Sequence, residues 1–203
     1  MQDFAVHRAG PDEVPEVAAA YLRAGADEAV AVWVAGAEEA AVAELRRAHT
    51  PAVIAAAIRD DEVWIARADG AIRAVAVWQR MADGSRYRAE ADELRSLAAA
   101  HPEVGAWQRL ALAVGRVATA HPREYPHRYL HSIATVPEHR GTGAGTALLG
   151  AGLDRLAATG ESAFLAASTE RSARLYARLG FAPHGAPLPL PGGPTLLPMW
   201  FAP

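Results

Sequence analysis

The stretch "VPEHRGTGAGTALL", residues 136–149, decides the fold. A β-prone run ends at Val136-Pro137, glycines follow at every second position from 141 to 145, and an apolar, helix-forming run comes next. A glycine-rich turn between a strand and a helix exposes backbone N–H groups at the positive end of the helix, and both attract phosphate oxygens. The sequence therefore predicts a phosphate-binding turn at this point of the chain.

Three other interpretations of the turn fit the residues less well. A dinucleotide fingerprint, G-x-G-x-x-G, would need glycine at Thr146, and a P-loop would need a lysine that this segment lacks. A flexible linker does not need three glycines and an arginine at the start of a helix. The remaining interpretation is a pyrophosphate held by the backbone amides of residues 141 to 146, with Arg140 at the mouth.

The rest of the chain alternates β-prone and helical segments. Two β-prone runs joined by Asp69-Gly70 predict a hairpin over 62–79, and the low polarity of 128–136 on either side predicts a central strand. We predict a mixed sheet of about six to seven strands flanked by helices, an α/β architecture. Further strands are predicted at 3–9, at 162–168 and around a last turn at 191–194, and helices at 12–24, 37–59, 87–100, 104–120, 143–159 and 170–179.

Composition excludes several classes of protein. The chain has 203 residues, of which 51% are hydrophobic, and this suits one domain with a sizeable core. A net charge of −3 argues against a general nucleic-acid binder, and no run approaches the roughly 20 apolar residues that span a bilayer. Cysteine is absent, so no disulfide or thiolate zinc site can form, and we expect no metal. The first residues lack the pattern of a signal peptide, so a cytoplasmic protein is expected.

Two motifs carry a resemblance to a known family. Residues 140–145 match the pattern [RQ]-x-x-G-x-[GA], and "STERSARLYARLGF", 168–181, ends in the pattern Y-x-x-x-G-F. On these motifs the chain resembles the GCN5-related N-acetyltransferase (GNAT) family, and within it the puromycin-type antibiotic acetyltransferases. The resemblance implies one acetyltransferase domain over 1–203 with a helical insertion at about 85–121. It also implies that acetyl-CoA lies in a splay between the fourth and fifth strands.

The resemblance implies a set of donor-binding residues. The backbone N–H of Ile133 would face the acetyl oxygen, Thr135 would pair with the pantetheine arm, and the loop would hold the pyrophosphate. Many members of the family carry asparagine where Ser172 stands. The whole set consists of Ile133, Ala134, Thr135, Val136, Arg140, Gly141, Thr142, Gly143, Ala144, Gly145, Thr146, Ser168 and Ser172.

The resemblance also points to two catalytic side chains. Tyr176 matches the family tyrosine near the CoA sulfur, where a protonated phenol can donate to the leaving thiolate. His131 stands in the strand before the loop, and a neutral imidazole can accept a proton from an ammonium. A core histidine, with a water chain as the base, is the alternative. Strict alternation along the strand places His131 on the same side as Tyr129, Ile133 and Thr135.

Aromatic side chains are the candidates for the acceptor site. The family binds the acceptor opposite the CoA, between the early helices, the third strand and the last hairpin, and aromatic walls suit an aryl or amino-nucleoside amine. The candidates are Trp33, Trp78, Met81, Tyr129 and Trp200.

The sequence therefore predicts an acetyl-CoA-dependent N-acetyltransferase. Its acceptor would be a primary amine of a small metabolite or antibiotic, which attacks bound acetyl-CoA directly. Two alternatives stay open: an acetyltransferase for protein or peptide amines, and a non-catalytic acetyl-CoA sensor. The expected partners are acetyl-CoA and a small amine, without nucleic acid or membrane, and a homodimer is left open.

Overall fold

The computed structural model describes residues 3–203, in which helices cover both faces of one mixed sheet. The strands are β1 (Ala5–Arg8), β2 (Glu62–Ala68), β3 (Ala71–Met81), β4 (His127–Thr135), β5 (Ala163–Ala167), β6 (Ala182–Pro183), β7 (Leu188–Pro189) and β8 (Thr195–Phe201). The helices are α1 (Val14–Ala24), α2 (Ala29–Ala35), α3 (Glu39–Asp60), α4 (Ser85–Ala100), α5 (Gly105–Ala120), α6 (Ala144–Thr159) and α7 (Glu170–Arg178).

The strand order is β1-β2-β3-β4-β5-β8-β6, and β7 pairs with β8. Neighbouring strands are antiparallel except β4 and β5, which are parallel. β4 lies in the middle of this order, which confirms the central strand that its low polarity predicted. The mixed sheet flanked by helices is confirmed. The described residues contain eight strands because the tail forms three, the two-residue β6 and β7 and the seven-residue β8.

The predicted hairpin is present as β2 and β3. Asp69 and Gly70 form its turn with φ angles of 50° and 75°. Two successive residues with positive φ make the turn whose twist matches that of the flanking strands, and Asp-Gly is a preferred pair for it. β3 of this hairpin pairs on its other edge with β4, the strand that carries the candidate site.

The two faces of the sheet bury different helices. One face packs on α6, whose Leu149, Leu153 and Leu156 are buried as predicted. On this face the Trp78 indole lies over Gly152, and a Cβ added at Gly152 would lie 3.0 Å from the Trp78 Cζ2. The opposite face packs on α1 and α3 over the first half of the sheet and on α4 and α5 over the second half. Gly152 is thus required by a close approach of helix and sheet.

We expect Gly152→Val to lower the free energy of unfolding by about 1–3 kcal/mol, because a larger side chain must displace a fully buried indole. Gly150→Ala is the matched control, since it lies two residues earlier in the same helix and an added Cβ there meets nothing within 4 Å. Gly150→Ala should be neutral or stabilise by up to about 1 kcal/mol through helix propensity. Urea unfolding of both variants measures the difference, and equal effects would contradict the packing argument.

Helix α2 was not predicted from the sequence. Its residues "AVAVWVA" are mostly β-branched or aromatic in alternation, a pattern typical of a strand. Tertiary contacts fix the helix instead: the Glu28 carboxylate accepts from the Ala31 N–H at 2.9 Å, and the Arg109 guanidinium donates to the carbonyls of Val34 and Ala35. The helices within residues 85–121 thereby position α2, because Arg109 belongs to α5.

No helix within residues 3–203 has the length and the apolar character that crossing a bilayer requires.

Candidate functional site

A gap between β4 and β5 forms the centre of the candidate site. The two strands pair only at Arg128–Ala163 and Tyr129–Phe164, although β4 continues to Thr135. Beyond Tyr129 the β5-facing edge of β4 therefore has no neighbouring strand. This is the splay that the resemblance implied for acetyl-CoA.

The glycine loop follows directly at the end of β4. Gly141 and Gly143 have φ angles of 79° and 99°, in the left-handed region, and α6 begins at Ala144 without a side-chain cap. The first amides of a helix have no acceptor within the helix. A Cβ at Gly145 would lie 2.8 Å from the Thr135 Oγ1. The loop therefore has the bare backbone that a pyrophosphate requires, and its glycines are needed for its shape.

The Arg140 side chain forms hydrogen bonds within the protein. Its guanidinium makes two 2.6 Å hydrogen bonds to the Asp27 carboxylate, which lower the pKa of Asp27, and it also donates to the carbonyls of Ala24 and Thr135. Arg140 was expected at the mouth of the pyrophosphate site. In the structure its side chain ties the loop to the end of α1 and to the connection between α1 and α2.

The expected alternation along β4 is wrong at His131. Ser132 pairs with Val77 and Leu130 with Trp78, so His131 has no partner on β3 and forms a β-bulge. His131 does share a face with Tyr129, and their rings lie 5.7 Å apart.

Because of the bulge, each residue after His131 points to the face opposite to the one that strict alternation predicts. The Tyr21 hydroxyl donates to the Ser132 Oγ at 3.2 Å, so Ser132 points to the same side as His131. Ile133 packs with Leu130 and α6 on the opposite face, and Thr135 contacts Gly145 there. The bulge thus separates His131 from the side chains of Ile133 and Thr135.

The His131 side chain is exposed to solvent, although many protein atoms surround it. Burial lowers the pKa of its imidazole below the ordinary value of 6.5, and the negative charge of Glu90 opposes that shift. The ring is therefore neutral at neutral pH, with a lone pair that can accept a proton.

Tyr176 approaches from the other face of the sheet. It is half-buried on α7 and packs in the same hydrophobic cluster as Ile133, with its ring 6.0 Å from that of Phe181. Burial, and to a lesser degree the charge of Glu28, raises the pKa of Tyr176 to about 12. The phenol therefore keeps its proton at neutral pH and can act as a donor.

The Ser172 side chain takes part in the N-terminal cap of its own helix. Thr169 caps α7 by accepting from the Ser172 N–H at 3.1 Å, and the Ser172 hydroxyl donates back to the Thr169 carbonyl at 2.8 Å. This capping box satisfies amides at the helix start. The Ser172 hydroxyl, expected to contact pantetheine, is thus already hydrogen-bonded within the helix cap, and Ser168 lies half-buried just before it.

The acceptor candidates differ in their burial and in their distance from His131. Trp78 and Met81 are fully buried, and Trp78 faces α6, so neither forms a wall of an open site; this corrects the expectation. Tyr129 is 5% exposed and lies beside His131. Trp33, on α2, donates from its Nε1 to the Pro191 carbonyl at 3.1 Å. Trp200 is half-buried beside His127 and His184 rather than beside His131.

A packed cluster of aromatic and imidazole rings lies beneath Tyr129. His127 donates from Nδ1 to the Glu124 carbonyl at 2.9 Å, so its Nε2 accepts from the His121 Nε2–H at 3.0 Å. The His121 Nδ1 then has no hydrogen-bond partner within residues 3–203. Burial lowers the pKa of His121 to about 3 and also lowers that of His127. Both rings are neutral members of the core.

A surface groove of about 820 Å3 lies outside this site, between α4, α5 and residues 184–188. None of the predicted site residues lines it. Over residues 3–203 no group of three or more His, Asp or Glu side chains is arranged to hold a metal ion.

Several residues at the site were missed by sequence reasoning. Tyr21 and Tyr87 reach it from α1 and α4, and Glu28 and Glu90 act on it through their charge. No motif marks them. The signal available was helical spacing alone, since Tyr87 and Glu90 stand three residues apart and share one face of α4.

Comparisons with known proteins agree with the fold. The family model described as "Acetyltransferase (GNAT) family" matches residues 38–181. A solved structure described as histone acetyltransferase HPA2 and related acetyltransferase, from Corynebacterium glutamicum, is 27% identical with a TM-score of 0.68, and the match covers 100% of this chain and 97% of that one.

Two further structures share the fold at low identity. The polyamine N-acetyltransferase of Drosophila melanogaster is 17% identical with a TM-score of 0.66, and the match covers 98% of this chain and 100% of that chain. The mosquito arylalkylamine N-acetyltransferase like 5b is 16% identical with a TM-score of 0.70, with coverage of 98% and 100%. The same fold thus occurs in chains of very different sequence.

Proposed function

The chain belongs to the acetyltransferase (GNAT) family, and from this premise we propose that it transfers an acetyl group from acetyl-CoA to a primary amine of a small molecule. The family in general uses acetyl-CoA and is a family of acyltransferases. The observation that carries the proposal is the position of two side chains about the gap between β4 and β5. His131 stands on one face of the sheet and Tyr176 on the other.

The chain's own residues fit acetyl-CoA on two observations. The glycines at 141 and 143 place no side chain over the backbone of the loop, and the edge of β4 beyond Tyr129 is not paired with β5. We propose that the amides of the loop hold the pyrophosphate and that the β4 edge from Ile133 to Val136 pairs with the pantetheine arm. Acetyl-CoA supplies a thioester whose carbonyl carbon is open to attack by an amine.

The proposed chemistry is one acyl transfer with two proton movements. The amine nitrogen forms a bond to the acetyl carbon, and the carbon–sulfur bond breaks. His131 accepts the proton that the amine loses, directly or through water, because its imidazole is neutral. Tyr176 donates its proton to the departing sulfur, because its raised pKa keeps the phenol protonated.

Three contacts favour a small acceptor over a protein chain. Trp33 joins α2 to the tail through the Pro191 carbonyl, Arg109 joins α2 to α5, and Asp27 joins the start of α2 to the glycine loop. α2 is therefore held on three sides near the site, which favours an enclosed acceptor pocket. Among structural neighbours are proteins described as agmatine, polyamine and arylalkylamine N-acetyltransferases, and each of these names refers to a small amine.

The test is thiol release from acetyl-CoA by the purified protein across a panel of amines. The panel holds alkylamines, diamines, arylalkylamines, aminoglycosides, puromycin and lysine-containing peptides. We expect release with one class of small primary amine. Release with peptides alone would replace the proposal with a protein acetyltransferase. Calorimetric binding of acetyl-CoA without release by any amine would replace it with a sensor.

A further inference from the structure

The β-bulge in β4 places two polar side chains next to each other at the gap. Val77 on β3 pairs with Ser132, while His131 is the extra residue before it and has no partner on β3. In such a bulge the extra residue and its neighbour both lie opposite one residue of the partner strand. The His131 and Ser132 side chains therefore share one face of the sheet, whereas consecutive residues of a regular strand point to opposite faces.

Tyr21 orients the Ser132 hydroxyl. Its ring is half-buried on α1 against the apolar cluster that includes Val77, and its hydroxyl donates to the Ser132 Oγ at 3.2 Å. Within residues 3–203 this is the one hydrogen bond of the Ser132 side chain. A hydroxyl oxygen has two lone pairs, so one lone pair of the half-buried Ser132 hydroxyl stays open beside His131.

Acetyl transfer to a primary amine leaves one N–H group free to be held in place. A neutral primary amine carries one lone pair and two N–H groups. The lone pair must point to the acetyl carbon, and one proton passes to His131 in the proposed chemistry. The second N–H stays on the nitrogen and remains in the product amide. A hydrogen-bond acceptor that binds it can therefore hold the amine in position throughout the reaction.

We propose that Ser132, oriented by Tyr21, accepts this second N–H and thereby selects primary amines over amines that carry a methyl group on the nitrogen. A secondary amine has a single N–H, which must go to the base, so it has none left for the Ser132 Oγ. Ser132 is thus a residue that positions the substrate, and Tyr21 is a positioning residue that acts through Ser132. This rests on the proposed function.

The experiment compares a primary amine with its N-methyl derivative. The probes are the amine of the panel that releases thiol fastest and the same amine with one methyl group on its nitrogen; for an alkylamine these are butylamine and N-methylbutylamine. The readout is kcat/KM for thiol release with the full chain. We expect Ser132→Ala to slow the primary amine by about three- to tenfold, the value of one hydrogen bond. The N-methyl amine should stay within about twofold, so the preference for the primary amine falls.

Three further variants test whether Tyr21 acts through Ser132. Tyr21→Phe should lower the preference for the primary amine, and the double variant Tyr21→Phe/Ser132→Ala should behave like Ser132→Ala alone, because residues that act as a unit do not give additive effects. Ser132→Thr keeps a hydroxyl and should keep most of the preference. The double variant removes both hydroxyls together, so it leaves no unpaired group and serves as the folded reference if Ser132→Ala is unstable.

Ser96→Ala and Tyr125→Phe are the matched controls. Ser96 is exposed on α4, where its hydroxyl donates to the Asp92 carbonyl, and Tyr125 stacks on His127 away from the gap. The two controls remove the same groups as Ser132→Ala and Tyr21→Phe from places outside the site. Both should keep kcat/KM for each amine within about twofold.

The outcomes separate the role of Ser132 from the proposed function. Equal kcat/KM for both probes in the unmodified protein would overturn that role and leave the acetyltransferase activity established. Equal slowing of both amines by Ser132→Ala would also overturn it, since the hydroxyl would then support the bulge and not the amine. Additive effects in the double variant would refute the action of Tyr21 through Ser132. Absence of thiol release with every amine of the panel would overturn the proposed function and the role of Ser132 together.

Discussion

Tyr176→Phe is expected to lower kcat by about 10²- to 10⁴-fold, the range that a positioned general acid contributes. The variant removes one hydroxyl from a ring that packs against the core, so the packing with Phe181 and Ile133 stays. Affinity for acetyl-CoA should change little, because the proposed pyrophosphate contacts are made by the backbone of the loop. Steady-state rates with the best amine and calorimetric titration with acetyl-CoA measure the two effects separately.

Tyr125→Phe is the matched control for the loss of a phenol. Tyr125 is half-buried and stacks on His127, on the far side of the ring cluster from the gap. Its variant should keep kcat within about twofold, as a side chain outside the reacting groups does. If Tyr176→Phe retained full turnover, the leaving thiolate would take its proton from another donor and the proposed role of Tyr176 would be refuted.

Gly143→Val is expected to weaken acetyl-CoA binding by about 10- to 100-fold, because a non-glycine residue held at positive φ costs about 1–3 kcal/mol and the loop would relax to avoid that cost. Gly143 has a φ of 99°, which β-branched residues avoid. The nearest atom to an added Cβ is the Phe4 Cε2 at 3.9 Å, so crowding is small and the sheet should stay folded. Calorimetric titration with acetyl-CoA gives the affinity, and circular dichroism reports the fold.

Gly185→Val tests whether backbone strain outside the glycine loop also weakens acetyl-CoA binding. Gly185 has a φ of 74° and open space around it, but it lies between β6 and β7, away from the loop. Its variant carries similar strain and should bind acetyl-CoA normally. Normal binding by Gly143→Val as well would refute the assignment of the pyrophosphate to this loop.

Local chemistry allowed much of the fold to be predicted. The Asp69-Gly70 turn, the glycine loop and the leucines of α6 each depend on neighbours in sequence, and all are present in the structure. Helix α2 could not be predicted, because distant residues determine it. Arg109 satisfies its last carbonyls from a position 74 and 75 residues further along the chain.

The details of the site were harder to predict than its location. The bulge at His131 is a property of the pairing of β4 with β3, and one extra residue there reverses the faces of Ile133 and Thr135. Trp78 looked like an acceptor wall because tryptophan suits binding sites, but the small Gly152 on α6 gives it a place in the core. Glu90 lies 41 positions before His131 in the sequence, and only the folding of α4 against β4 brings its charge to the pocket.

The neutral histidine pair beneath Tyr129 makes the fold sensitive to acid. In an unfolded chain His121 takes up a proton near pH 6.5, whereas in the folded protein it does so only near pH 3. Below pH 6.5 the unfolded state therefore binds more protons than the folded state, and stability falls as the pH falls. The loss is about 1.4 kcal/mol per pH unit for such a group until the folded pKa is reached. The pKa of His127 shifts in the same direction. The two rings that lie beneath Tyr129 therefore also set the lowest pH at which this part of the fold stays stable.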